Sequence, residues 1–194
     1  MSMVEAMDSE IGRLLSSLSQ EQKNNTVIIF IGDNGTPQQV TQEYNPLRVK
    51  GTLYQGGINV PMIISGKDVS RFNATEGALI NTTDLFATIA NIAGIQVDKI
   101  NDSQNFKELL SNENSSSRDY VYSEVGHESE KSDYTIRNKT HKYIVFEDGT
   151  EKFYNLNTDP LELINLMHIN QLPLNSTDEL IKEELILKLN EIRQ

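Results

Sequence analysis

The run Thr26-Val27-Ile28-Ile29-Phe30-Ile31 leads into Gly32-Asp33-Asn34-Gly35, and fifteen positions after Gly35 stands Lys50, heading Lys50-Gly51-Thr52-Leu53-Tyr54-Gln55-Gly56-Gly57. Asp33 offers a carboxylate and Asn34 an amide carbonyl, both hard oxygen donors suited to Ca²⁺ or Mg²⁺. The flanking glycines let the backbone turn sharply enough to aim both at one ion. Lys50 adds a mobile ammonium with three donors for a bound oxyanion. Alone, Asn34-Gly35 reads equally as an ordinary tight turn. With the second motif following it, the stretch reads as a site.

These residues need elements to hold them. The continuous apolar run at 26–31 has the pattern of a central parallel strand covered on both faces. In open α/β sheets, ligands bind just beyond the carboxyl ends of such strands, where residues 32–35 fall. Around it the periodicity predicts a helix over 3–19 with Met3, Met7, Ile11, Leu14 and Leu18 on one face, a strand at 60–65, and a helix over 84–93 closed by Gly94. Residues 1–110 thus read as an α/β unit. The polar stretch 112–117 reads as a loop. Residues 111–194 read as a small antiparallel sheet with strands at 120–124, 134–137, 142–146 and 152–156, turning at Arg137-Asn138-Lys139 and Asp148-Gly149. A terminal helix starts at the capping box Ser176-Thr177-Asp178-Glu179 and repeats Leu180, Ile181, Leu185, Leu189 and Ile192 at helical spacing, so it should pack on that sheet. Its acidic residues Glu179, Glu183, Glu184 and Glu191 read as a solvated face, not as a catalytic carboxylate pair.

In this order and at this spacing the two motifs resemble the sulfatase family of the alkaline-phosphatase-like superfamily, where a strand ends in DNG and KGTxYEGGxRVP follows. Gln55 stands where that family usually has Glu, and Asn59 where it often has Arg. The resemblance extends to residues 3–15, similar to the helix before the DNG strand, and to Asp84-Leu85-Phe86-Ala87-Thr88-Ile89-Ala90-Asn91-Ile92-Ala93-Gly94, similar to the family's DLFPTLLDLAG helix. Phe153-Tyr154-Asn155-Leu156-Asn157-Thr158-Asp159-Pro160-Leu161-Glu162 is similar to its LYDLxxDPxE strand and turn, with Asn165-Leu166 in the place of the usual NL.

The resemblance implies part of an alkaline-phosphatase-like sandwich with a mostly parallel sheet, followed by a small C-terminal antiparallel sheet packed with a helix. It implies Asp33 and Asn34 as ligands of Ca²⁺, with Mg²⁺ the second choice, and Lys50 as the catalytic and substrate-binding cation that neutralises charge on sulfate. Thr36 and Gln38 line the following loop. Among the histidines, His127 lies in a polar loop between strands from which it could contact substrate, whereas His141 and His168 read as surface or packing residues.

Sulfatases use a formylglycine nucleophile made from Cys or Ser in a C/S-x-P-x-R motif. This chain has no cysteine, and its five prolines are preceded two positions back by Gly35, Tyr44, Asn59, Thr158 and Gln171. The expectation is therefore the C-terminal portion of a sulfatase, arising as a fragment, a split gene or a natural remnant. The nucleophile-bearing N-terminal half would be its partner, and a sulfated small molecule or carbohydrate its substrate. Two other readings stay open: a phosphodiesterase or phosphonate hydrolase of the same superfamily, and a non-catalytic binding or interaction domain. For a full-length parent the resemblance implies a periplasmic or secreted location.

A net charge of −11 argues against nucleic acid or an anionic membrane as partner. A sulfate ester would need local positive charge, which Arg48, Lys50 and a divalent cation would supply together. No apolar run approaches the roughly 18 residues of a membrane span. The lack of cysteine excludes disulfides and thiolate metal sites and leaves the compartment undecided. Asn-x-Ser/Thr sequons such as Asn24-Asn25-Thr26 and Asn81-Thr82-Thr83 are attributed to a composition rich in Asn and Ser rather than to glycosylation.

Overall fold

Helix α1 covers Ser2–Ser17, and the chain enters a second short helix, α2, at Gln20–Asn24. The predicted single helix over 3–19 ends early because Ser19 caps α2: its hydroxyl accepts the Gln22 N–H at 3.2 Å while the Gln22 side chain accepts the Ser19 N–H at 2.8 Å. The computed structural model describes residues 2–113, 118–126 and 132–194. None of the described helices is long and apolar enough to cross a membrane. Of the predicted α1 face, Met3, Met7 and Leu14 are exposed and only Ile11 and the following Leu18 are half-buried. The apolar spacing is helical, but no described element packs extensively along it.

Strand β1, Val27–Ile31, pairs with β2, Met62–Gly66, in register from Val27↔Gly66 to Ile31↔Met62. The pairing is antiparallel, which corrects the expectation of a parallel strand with parallel neighbours among the described residues. The connection leaves β1 and enters β2 at the same end, where Gly32 N–H donates to the Pro61 carbonyl at 2.9 Å. It contains no crossover to the far end of the strand, as parallel pairing requires. All five β1 residues are half-buried instead of fully covered.

Helix α4, Leu85–Ile92, follows a 3₁₀ turn at Thr82–Asp84. Asp84 is fully buried and fully engaged: it accepts N–H groups of Asn81 at 2.7 Å and Gln104 at 2.8 Å and the Arg118 Nε at 2.9 Å. Ala87 and Thr88 face inward against the short ribbon of β3, Lys99–Ile100, and β4, Ser103–Gln104, while Phe86 and Ile89 face out.

Strands β5 (Val121–Gly126), β6 (Ser132–Arg137), β7 (His141–Val145) and β8 (Glu151–Asn155) form one antiparallel meander. Side chains alternate across a strand, and here both faces are covered. Ile136, Tyr143 and Phe153 pack on Leu185 and Leu189 of α5, Ser176–Ile192. Ile144 and Tyr154, their neighbours in sequence, pack on Leu53 and Tyr54 from the loop after Lys50. Fully burying a side chain such as Leu53 contributes roughly 1.5–3 kcal/mol.

Helix α5 packs on the sheet as predicted, through Ile181, Leu185 and Leu189, but Leu180 and Ile192 are exposed. Its cap is Asn175, not Ser176, with the Asn175 side chain accepting the Asp178 N–H at 2.9 Å. Asp178 also meets buried His141 on β7 at 3.0 Å, and the imidazole stacks on Phe153. His141 is thus a buried packing residue.

The sheet and the loop after Lys50 are also joined by charge. Glu162 is 1% exposed and holds the Lys142 ammonium at 2.7 Å, while its second carboxylate oxygen accepts the Gln55 N–H at 2.6 Å. Its carbonyl accepts from Arg48, and its backbone sits at φ +58, a left-handed conformation that a non-glycine residue adopts at a cost. Burial pushes the Lys142 ammonium down to about 8 against the opposing pull of Glu162.

With the folded pKa below the unfolded one, the unfolded chain binds more protons between about pH 8 and 10.5, so stability rises with pH there. From about pH 10 the tyrosines oppose this rise, and above about 10.5 stability falls. A hydrogen bond to Glu184 raises Tyr120 and burial raises Tyr122, each to about 12, and burial also raises Tyr143 and Tyr154, so the folded state retains protons that the unfolded chain loses. Urea unfolding should show a gain on the order of 1–2 kcal/mol between pH 7.5 and 9.5. The charge-free variant Lys142→Met/Glu162→Gln should lack it, and an equal gain in that variant would exclude Lys142 as its source. Glu162→Ala, which strands the ammonium, should cost roughly 3–5 kcal/mol at pH 7, more than the double variant.

Candidate functional site

The two motifs meet backbone to backbone. Gly35 N–H donates to the Gly57 carbonyl at 3.0 Å, and Lys50 N–H donates to the Thr36 carbonyl at 3.1 Å. The approach is so close that a Cβ on Gly35 would lie 2.2 Å from the Gly56 carbonyl oxygen, and within the second motif one on Gly57 would lie 2.1 Å from the Thr52 carbonyl oxygen. Only glycine fits either place. The short helix α3, Gln55–Ile58, carries Gly56 and Gly57 and starts at the Gln55 amide that Glu162 holds.

This seam presents the predicted residues as exposed groups. Asp33 and Asn34 line one cleft of about 1080 Å³ together with Gln55, Ile58 and Asn59. Lys50 is exposed and tied to the loop by its backbone, but it does not line that cleft. The side chains of Asp33, Asn34 and Lys50 make no hydrogen bond or ion pair among the described residues. Thr36 and Gln38 are exposed beside them, Gln38 opening a 3₁₀ turn at Gln38–Val40. His127 lies outside the described residues.

Arg48 does not join this group. Its guanidinium lies 4.9 Å from the centre of the Tyr54 ring, bonds the Glu162 carbonyl, and lines a separate pocket. The expected convergence of Arg48 and Lys50 is therefore corrected: two residues apart in sequence, they serve different surfaces because Tyr54 and Glu162 draw Arg48 toward the C-terminal sheet. Sequence reasoning also missed Glu162 as the clamp on Gln55, although a lysine amid the apolar strand His141-Lys142-Tyr143-Ile144-Val145 signals a buried counter-charge.

Asp33 and Asn34 supply two hard oxygens, short of the six to eight that Ca²⁺ takes. Among the described residues no group of three His, Cys, Asp or Glu side chains could hold a metal. The arrangement can contribute part of an oxygen-rich cation site and, at Lys50, a cation for an oxyanion.

The sulfatase family model matches residues 1–95, which include both motifs. An arylsulfatase of Clostridium perfringens (strain 13 / Type A) is 31% identical over 171 residues, covering 84% of this chain and 34% of its own length. Among solved structures, BT4656 in complex with its substrate D-glucosamine-2-N,6-O-disulfate has a TM-score of 0.78 at 23% identity, over 98% of this chain and 38% of that one. The phosphonate monoester hydrolase of Agrobacterium radiobacter has a TM-score of 0.70 at 21% identity, over 98% and 40%. The likeness to these structures shows the fold: a mixed α/β chain with a small antiparallel sheet and a terminal helix, as in alkaline-phosphatase-like sulfatases. The chain spans about a third of the length of the curated relatives it matches. Through its paired motifs, its fold and these relatives, the chain belongs to the sulfatase family.

Proposed function

We propose that the chain is the C-terminal portion of a sulfatase that hydrolyses sulfate monoesters with a formylglycine nucleophile borne by the rest of the enzyme. One observation supports this above all: main-chain hydrogen bonds join the DNG loop to the loop headed by Lys50, and the carboxylate of Asp33, the amide of Asn34 and the ammonium of Lys50 that these loops carry are not engaged elsewhere among the described residues. Asp33 and Asn34 would hold part of a Ca²⁺ site. Ca²⁺ suits them better than Mg²⁺, which demands near-ideal octahedral geometry, and further oxygens would come from outside this chain. When bound, the cation supplies positive charge for the sulfate oxygens. Lys50 binds a sulfate oxygen and stabilises the charge that develops as the S–O bond breaks.

A sulfated saccharide or a small sulfated molecule is the substrate class; the similar fold of BT4656 was captured with D-glucosamine-2-N,6-O-disulfate as its substrate. The remainder of the enzyme has surfaces to meet. Met3, Val4, Met7 and Leu14 on α1 and Phe86 and Ile89 on α4 are exposed, which is the character of an interaction face. A phosphonate or phosphodiester substrate is the second reading, favoured by the likeness to the phosphonate monoester hydrolase; the family match across both motifs weighs for sulfate.

The purified chain should release no sulfate from an aryl sulfate whatever metal is added, because the covalent route has no nucleophile. Metal-dependent release by a preparation free of contaminating sulfatase would contradict this. Its Ca²⁺ binding should be weaker than about micromolar, the sensor range, as read by calorimetry.

In a sulfatase reconstituted with its nucleophile-bearing portion, Asp33→Ala should lower both Ca²⁺ affinity and turnover. Lys50→Ala should leave Ca²⁺ in place and lower turnover by on the order of 10²-fold or more, the scale for removing one preorganised donor. An active, calcium-replete Lys50→Ala enzyme would remove the lysine from the mechanism.

A further inference from the structure

A second pocket, of about 430 Å³, opens between the loop carrying Arg48 and the segment after Glu162. Arg48, Lys152, Tyr154, Asn165 and His168 line it, Leu163 and Ile164 stand exposed at it, and no carboxylate does. That composition is notable in a chain of net charge −11.

Both cations are held without being neutralised. Arg48 is fixed by the Tyr54 ring and the Glu162 carbonyl. The Lys152 ammonium donates to the Tyr54 hydroxyl at 2.7 Å and lies 5.4 Å and 5.0 Å from the centres of the Tyr54 and Phe146 rings. Neither has an ion-pair partner among the described residues. Two positive charges fixed around one ring stay available to a third party, and their rotamer entropy is already spent.

The remaining groups add directed donors. His168 Nδ1 accepts the Asn170 N–H at 3.3 Å, so the neutral imidazole carries its proton on Nε2, where it can donate. Asn165 uses its carbonyl oxygen to accept from Phe153 and Met167, leaving its amide N–H groups for a ligand. Tyr154, buried in the core beside Tyr54, also lines the pocket. An oxyanion on a hydroxyl-rich ligand matches this set: cations for its charge, N–H donors for the oxygens around it.

We propose that this pocket is an anion subsite that takes a sulfate substituent of a saccharide, apart from the site at Asp33, Asn34 and Lys50. The oxyanion stands on the pocket alone; the choice of a sulfated saccharide rests on the function proposed above.

Titration of the isotopically labelled 194-residue chain with D-glucosamine 6-sulfate, D-glucosamine and inorganic sulfate, followed by NMR, tests it. The sulfated sugar should shift Lys152, His168 and Asn165 signals saturably, inorganic sulfate should shift them more weakly, and the unsulfated sugar should leave them in place. Lys152→Gln should weaken binding at least fivefold, Lys152→Arg should restore it, and Lys50→Ala should leave it unchanged. Equal shifts from the unsulfated sugar, binding untouched by Lys152→Gln in a protein with a native spectrum, no saturable shift at all, or binding lost only in Lys50→Ala would each overturn the subsite. Turnover of the reconstituted enzyme does not enter this readout, so failure here leaves the proposed hydrolysis standing, and failure of that hydrolysis leaves the binding result intact.

Discussion

The Glu162 carboxylate connects the two halves of this structure. One oxygen takes the Lys142 ammonium from the middle of the C-terminal sheet, and the other takes the amide that begins α3. Each partner alone would be a buried liability. A lysine in the centre of an apolar strand is costly uncompensated, and a helix start with an unmet N–H wastes a donor. Joined by one acid, they fix the distance between sheet and loop. The strained backbone at Glu162 is tolerated because Asp159, Gln55, Arg48 and Lys142 over-determine its place.

Around that bond the four-stranded sheet works as a two-sided platform. Tyr143 and Phe153 look toward α5, and Ile144 and Tyr154 look toward Leu53 and Tyr54. The residues following Lys50 are thus packed on a sheet that lies in sequence almost a hundred positions later, and the aromatic ring that seats them also seats Arg48 and Lys152. One side chain, Tyr54, therefore belongs both to the core and to the wall of a charged pocket.

What the sequence made legible follows from which signals are local. The Asp33-Asn34-Gly35 and Gly56-Gly57 glycines mark backbone approach, and the short aromatic and β-branched runs at 134–137, 142–146 and 152–156, set off by turns at 137–139 and 148–149, mark strands, so the loops and the meander could be read. Strand direction could not, because an apolar run such as 27–31 carries no information about which way its neighbour points. The cap of α5 went to Asn175 rather than Ser176 because two adjacent residues of similar capping power differ only in how the chain arrives. Arg48 and Glu162 are separated by more than a hundred residues, and no local pattern pairs a side-chain guanidinium with a distant carbonyl.

Because main-chain atoms alone form the seam at Gly35–Gly57 and Thr36–Lys50, registration between the two charged ends is independent of side-chain identity nearby. Gln55 and Asn59 line the same cleft as Asp33, yet neither side chain sets where Asp33 lies relative to Lys50. Such a frame separates two kinds of position: glycines at the joint are fixed by atomic overlap, while the side chains of Gln55 and Asn59 take no part in its hydrogen bonds. A replacement at position 55 or 59 therefore changes the wall of the cleft while the main-chain joint beside it keeps its hydrogen bonds.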